Sequence, residues 1–505
     1  MKEYPLRKIS LVAAVVTLTS SCASMHQAGQ DYGTAIGCVG GAALGGGLTY
    51  LLTGDAKKAV VGGLIGGVAG CAAGNIWQNR EKALAKIAAE ENIAIQTRTL
   101  EAQAKSTKQA VGLVAQVQDK GMFDTNSAQL SSDGLRQVRK LAAAMKEGDQ
   151  GGVILVVGHT DATGNPQLNQ RLSEQRAQNV GRVLEQAGLS GKNLYFQGAG
   201  SSRPVADNAT NEGRAANRRV ELAALASEAL LKQRLEQEGS NLAYLRYGTS
   251  SESPKPVTAR TPVRSSSSSS SSSKKASPTV TSKTSTPRPA TTAETASVEA
   301  PAASAPQART SGPAAIVDFG GQPVSNSTAS LAANLKPRSS GFSLISEARA
   351  GGVMKSCYND NARISGQAKN LASGRAVETS ETKKYLPGMN GRAWAGLVNG
   401  HLVTLSPVRV LSDNATVTEN PKVYITRDYQ AKHNRKADAP LAAVANAWEG
   451  EDSILYRVYL QNEKQQALSC IDLLVPKETK KAQQGQLYYN NHNSPYQATY
   501  APVGL

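Results

Sequence analysis

Large aromatic side chains are scarce in this chain: it has four Phe and three Trp among 505 residues. So few argue against large cores and fit long spacer and tether segments. Histidine is also rare, and the five (His26, His159, His401, His433 and His492) are scattered. They show no metal-ligand spacing, and no Cys/His or Ser/His constellation accompanies them. No metal, cofactor or catalytic centre is therefore expected. Acidic residues fall short of basic ones, 39 Asp and Glu against 56 Lys and Arg, for a net charge of +17. Nucleic acid is the usual partner of so basic a chain, but the N-terminus redirects that reading.

Lys2, Arg7 and Lys8 precede an apolar run at 9–18, and the small residues Ser20 and Ser21 lead to Cys22. A charged start, about ten apolar residues and small residues at the cut describe a signal peptide, too short to span a bilayer. The segment resembles a lipobox, although the usual Leu sits one place early. A lipoprotein signal peptide at 1–21 and a lipidated Cys22 are expected. Ala23 replaces the Asp that resembles an inner-membrane retention signal, which favours the outer membrane, facing the periplasm. Export removes nucleic acid as a partner and makes anionic cell wall or lipopolysaccharide the basis for attraction.

Glycines recur every four residues at Gly33, Gly37, Gly41 and Gly45, and again at Gly62, Gly66, Gly70 and Gly74. That spacing puts them on one helix face, where two backbones can approach closely. A helical glycine-zipper hairpin is expected at 30–77, inserted in the outer membrane beside the anchor or packed into a homo-oligomer. Cys38 and Cys71 each follow a zipper Gly, so the antiparallel register brings them to one side of the seam. With Cys22 lipidated, Cys38–Cys71 is the expected first disulfide, and Cys357–Cys470 follows by elimination.

The remainder divides by composition. Residues 78–110 are polar, Ala-rich and helix-prone, and predict a helical spacer of about 45 Å. A short helix is expected at about 227–238. Residues 250–313 are rich in Ser, Thr, Pro and Ala and predict a disordered linker. Residues 314–480 read as a β-rich domain of no recognised family. Its strand candidates are 315–319, 402–410, 422–428, 454–460 and 467–475, the last two as a hairpin. The Tyr/Asn-rich end, 481–505, reads as a flexible tail.

Residues 158–180, GHTDATGNPQLNQRLSEQRAQNV, are the most telling stretch. Asp161 lies in a turn straight after the apolar strand 153–157. Arg176 lies on the inward face of the next helix, among Leu172, Val180, Val183, Leu184 and Ala187. A guanidinium there is costly unless it meets an anion. Either the two side chains pair with each other, or they hold a ligand that carries both charges.

The pattern resembles the OmpA-like domain of peptidoglycan-associated lipoproteins over 111–226. Phe123-Asp124-Thr125-Asn126, His159-Thr160-Asp161, Asn169, Leu172-Ser173, Arg176-Ala177, Gly198, Gly200, Asn208 and Asn217-Arg218-Arg219-Val220 carry the likeness. The resemblance implies an α/β fold, a mixed sheet with helices on one side. It also implies a ligand, the diaminopimelate of the peptidoglycan stem peptide. Asp161 would take its ammonium and Arg176 its carboxylate. Asn126, Thr160 and Asn169 would support them, and Arg218 and Arg219 would be structural.

The expected whole is a multidomain envelope protein. Its expected function is that of an outer-membrane lipoprotein that tethers the membrane to peptidoglycan. The alternative is a wall-anchored part of an envelope-spanning secretion or pilus machine, with the C-terminal domain docking an unknown protein. An enzyme acting on the wall has no residues to recommend it.

Overall fold

The structure is a computed structural model that describes residues 76–104, 107–147, 151–249, 317–325, 330–336, 354–379, 384–433, 435–461, 468–479, 481–482, 484–492 and 494–505. The expected signal peptide, Cys22, the zipper hairpin up to residue 75 with Cys38 and Cys71, and the whole of the expected linker 250–313 lie outside these residues. By contact, both sheets described below belong to one compact unit.

The first sheet is mixed. Its strands are β1 (Ile95–Ala104), β2 (Thr107–Gln118), β3 (Val153–His159), β4 (Leu194–Gly200) and β5 (Arg219–Leu225), in the order β1-β2-β5-β3-β4. Only β3 and β4 are parallel; they are joined by the long helix α3, as a parallel crossover requires. One face packs on α1 (76–91), α2 (Ser132–Lys146) and α3 (Pro166–Gln186). Trp77, Leu84 and Ile87 of α1 share a core with Val138, Leu141 and Met145 of α2 and Val180, Val183 and Leu184 of α3.

Two expectations need correction here. The spacer 78–110 is not one helix. It turns at Asn92, whose left-handed φ of 49° ends α1, and then becomes β1 and the start of β2. The sequence Ile-Gln-Thr-Arg-Thr-Leu alternates with β-branched residues, and β1 pairs with β2 from Ile95↔Val117 to Ala104↔Thr107. Helices also cover both faces of the sheet, not one. After α4 (Asn211–Asn217) and β5, the helix α5 (Glu228–Gly239), capped by Ser227, packs Leu230, Leu231 and Leu235 on Leu155, Val157 and Leu225 of the opposite face.

Close approach explains two glycines of the motif. A Cβ on Gly158 would lie 2.1 Å from the Ser173 carbonyl oxygen, and one on Gly198 would lie 2.5 Å from the Glu174 nitrogen. Both let α3 lie directly on β3 and β4.

The C-terminal part is β-rich, as expected. Its strands include β6 (Gln322–Pro323), β7 (Lys369–Asn370), β8 (Tyr385–Val398), β9 (His401–Leu411), β10 (Val417–Glu419) and β11 (Lys422–Thr426). They continue with β12 (Leu441–Glu449), β13 (Ser453–Leu460), β14 (Leu468–Pro476), β15 (Gln484–Asn491), β16 (Ser494–Tyr500) and β17 (Val503–Gly504). The order β8-β9-β11-β12-β13-β14-β15-β16 is an antiparallel meander. Past β16 the chain runs on in the same direction, and β17 pairs antiparallel with Ala395 and Trp394 of β8, closing the meander on itself as a barrel.

Alternate residues point inward. Val403, Leu405, Ile454, Tyr456, Val458, Ile471, Leu473, Leu487 and Tyr489 share one core. The expected strands at 402–410, 422–428, 454–460 and 467–475 are all present, and β13 and β14 pair antiparallel. The candidate at 315–319 is not a strand where it is described: 317–319 is irregular, and Val317 and Phe319 simply enter the core. The expected flexible tail 481–505 carries β15, β16 and β17. Its Leu487, Tyr489, Ala498 and Tyr500 alternate into the core among polar neighbours.

A strap, residues 354–379, joins barrel to module. Cys357 is bonded to Cys470 of β14. Asp360 accepts from Thr249 of the module (2.7 Å) and from Arg457 of the barrel (2.8 Å). Arg363 donates to the Ser202 and Tyr247 carbonyls. Further on, β7 pairs antiparallel with Phe196 and Tyr195 and becomes the sixth strand of the module sheet.

The disulfide spans 113 residues, and in the chain-entropy model a loop of that order is worth at most about 4–5 kcal/mol. Reduction, or Cys357→Ala with Cys470→Ala, should lower the urea midpoint of the barrel. Tryptophan fluorescence with and without reductant measures it, and an unmoved midpoint would contradict the assignment.

Candidate functional site

Four elements converge where β3 ends. Asn165 caps α3, its side-chain oxygen accepting from the Gln167 and Leu168 N–H groups, and Pro166 starts the helix. The turn before it holds Asp161. Its Oδ1 accepts from the Thr163 N–H at 2.9 Å. The Asn169 side chain donates to the backbone oxygens of Asp161 (3.3 Å) and Thr163 (2.9 Å). Asn208 accepts from the Ala162 N–H at 3.0 Å. The carboxylate is thus presented by a turn fixed from three sides.

Asp161 and Arg176 do not pair with each other. Asp161 accepts from Arg218 Nη1 at 2.7 Å, and Arg176 Nη1 meets Asp119 at 3.1 Å. Arg176 also donates from Nε to the Ser127 carbonyl at 2.9 Å and lies over the Phe123 ring, 4.6 Å from its centroid. Burial pushes the Arg176 guanidinium down from its ordinary range; Asp119 opposes that, Arg218 adds to it and Asp161 opposes it. Arg176 therefore feels the charges of the other three. Arg176 Nη2 makes no hydrogen bond among the described residues, and neither do Arg218 Nε and Nη2. The site keeps donors in reserve.

The supporting residues divide. Asn169 shapes the turn. Thr160 is buried, its N–H bonded to the Gly200 carbonyl and its hydroxyl without a partner among the described residues. Asn126 is exposed on the facing loop, with a left-handed φ of 56°. Leu172 is only half-buried. Arg219 is buried and donates to the Arg203 carbonyl. Arg218 is not merely structural: it is the direct partner of Asp161. Adjacent residues entering a strand point to opposite faces, so one Arg of the pair had to face outward. Asp119 joins the site with nothing in its local sequence to mark it. Among the described residues no cluster of side chains could hold a metal ion.

Behind the turn, His159 is buried with both ring nitrogens unpartnered among the described residues. Burial, then Arg219, Arg203 and Arg234, holds its pKa well below 6.5. The folded state thus refuses a proton that the unfolded chain accepts, so His159 lowers stability as pH falls below about 6.5, by up to about 1.4 kcal/mol per pH unit. Melting temperature should fall between pH 6.5 and 5, and His159→Gln should flatten that slope. An equal slope in both proteins would show that other groups carry it.

With this geometry in hand, the sequence places the chain among known ones. Residues 122–218 match the OmpA family, and residues 1–78 match the YMGG-like Gly-zipper. The chain is 37% identical over 116 residues to the probable lipoprotein YiaD of Escherichia coli (strain K12), covering 23% of this chain and 52% of that protein. It is 43% identical over 101 residues to the outer-membrane lipoprotein YfiB of Pseudomonas aeruginosa, covering 20% and 60%. It is 46% identical over 69 residues to the peptidoglycan-binding protein ArfA of Mycobacterium bovis, covering 14% and 21%. The matched stretch spans less than two thirds of each relative's own length. The chain thus carries an OmpA family domain and a glycine-zipper segment.

Proposed function

We propose that this chain is an outer-membrane lipoprotein that binds peptidoglycan non-covalently through diaminopimelate and so ties the membrane to the cell wall. The observation that carries this reading is the alternation of charge at the mouth of β3. Asp119, Arg176, Asp161 and Arg218 form two ion pairs, Arg176–Asp119 and Asp161–Arg218, with donors to spare. Diaminopimelate ends in an ammonium beside a carboxylate. Asp161 takes the ammonium, and Arg176, with its free Nη2, takes the carboxylate. Arg218 shifts from Asp161 toward the same carboxylate. Lipidation of Cys22 and the zipper hairpin supply the membrane end of the tether.

Asp161→Ala or Arg176→Ala should abolish co-sedimentation of the folded protein with purified sacculi. Loss of one partner from a desolvated charged contact costs about 2–5 kcal/mol, roughly thirtyfold or more in affinity. Unchanged binding in both variants would sink the assignment.

A further inference from the structure

A second opening lies where the module meets the barrel. It is a polar cleft of about 530 Å³, within the roughly 300–1,000 Å³ of ligand sites. Gln167 and Arg203 of the module, Arg363 of the strap, and Asn446, Trp448 and Gln461 of the barrel line it. Gln167 stands in the first turn of α3, the turn that Asn165 caps and that leads to Asn169, which holds Asp161. The cleft therefore starts on the helix turn whose Asn169 braces the Asp161 loop.

Its cations are treated unequally. Arg363 is occupied by Asp360 and by the Ser202 and Tyr247 carbonyls. Arg203 is only 6% exposed, yet its guanidinium donates no hydrogen bond to any described residue. The side-chain amides of Gln167 and Gln461 likewise make none among the described residues. None of the Arg203 nitrogens is among the fully buried atoms left without a partner, so the guanidinium opens on the cleft, within electrostatic reach of the Glu221 carboxylate. With two primary amides and the carboxylates of Glu236 and Glu238 on the same lining, it offers both donors and acceptors to a ligand of carbonyls and hydroxyls.

We propose that the cleft is a second wall subsite that takes the N-acetylated sugar from which the stem peptide hangs. Arg203 donates to the acetamido carbonyl, and Gln167 and Gln461 bind ring hydroxyls. The proposal rests on the wall-binding reading, because a fragment held by its diaminopimelate at Asp161 and Arg176 would extend its sugar end along the first turn of α3. The barrel then contributes to recognition, and its docking on the module builds a site that neither has alone.

Calorimetric titration of the full chain with two soluble wall fragments tests this. One is the diaminopimelate-containing stem peptide alone, the other the same peptide on its disaccharide. The disaccharide-peptide should bind about tenfold more tightly, the worth of one charge-assisted hydrogen bond. Arg203→Gln should remove that advantage and leave the free peptide's affinity unchanged. If Arg203→Gln fails to fold, Gln461→Ala, exposed on the barrel wall, carries the same comparison. Equal wild-type affinities for the two fragments, or variants that keep the full preference or weaken both alike, would overturn the subsite. Asp161→Ala must weaken both fragments. If it weakens neither, the wall-binding reading fails and the subsite falls with it.

Discussion

The described structure hangs on Asp360. Its side chain is fully buried and binds at once the end of the module, the strap and the barrel. Burial alone would push its carboxyl up. Arg363 and Arg457, helped by Thr249, outweigh burial and hold it below the usual carboxylate range. Arg457 is equally buried and forks onto Asp472, from Nε at 2.6 Å and Nη2 at 2.9 Å. In such a cluster no member can be removed cheaply, because each loss strands a charge away from water. The disulfide holds the strap in register for it: Cys357 is bonded to Cys470, and its own N–H donates to Asp472.

That anchor reaches the acid–base site through named contacts. Thr249, bonded to Asp360, follows Gly248. The Gly248 carbonyl accepts from Asn208 at 2.8 Å, and the same Asn208 side chain accepts from the Ala162 N–H beside Asp161. Asn217 steadies Asn208 from the end of α4. On the other flank, the strap pairs with β4, and Lys369 meets Glu174 of α3 at 2.6 Å. The turn and the helix that present the site are thus both braced from the barrel side, and β7 covers an edge strand that would otherwise offer unpaired backbone groups.

Much of this was legible in the sequence, and the misses have physical causes. The turn at Asp161 and the inward Arg176 could be read because helical spacing and motif coincide there. The partners Asp119 and Arg218 could not, because the contacts Arg176–Asp119 and Asp161–Arg218 join segments far apart in the chain. The spacer reads as one helix because Ala and Glu up to Glu91 favour it, while the switch depends on one left-handed Asn92 and on a partner strand that composition does not reveal. The tail hides its strands because its Tyr and Asn resemble solvated chain. In the barrel, Tyr489 and Tyr500 fill core positions that Phe fills elsewhere, so a scarcity of Phe did not mean a small core.

The pre-pairing of the site bears on selectivity. A lone Asp161 and a lone Arg176, both largely buried, would be unstable in the empty protein, and each would accept almost any counter-ion. Paired with Arg218 and Asp119, they are satisfied before a ligand arrives. In the proposed binding mode, a zwitterion with ammonium and carboxylate on one carbon would insert between the pairs and return a partner to every charge that it displaces. A simple amine would leave a guanidinium without its anion, and a simple carboxylate would leave an acid without its cation. The cost of that stranded charge, rather than the strength of any one contact, is what would separate diaminopimelate from the amines and acids around it.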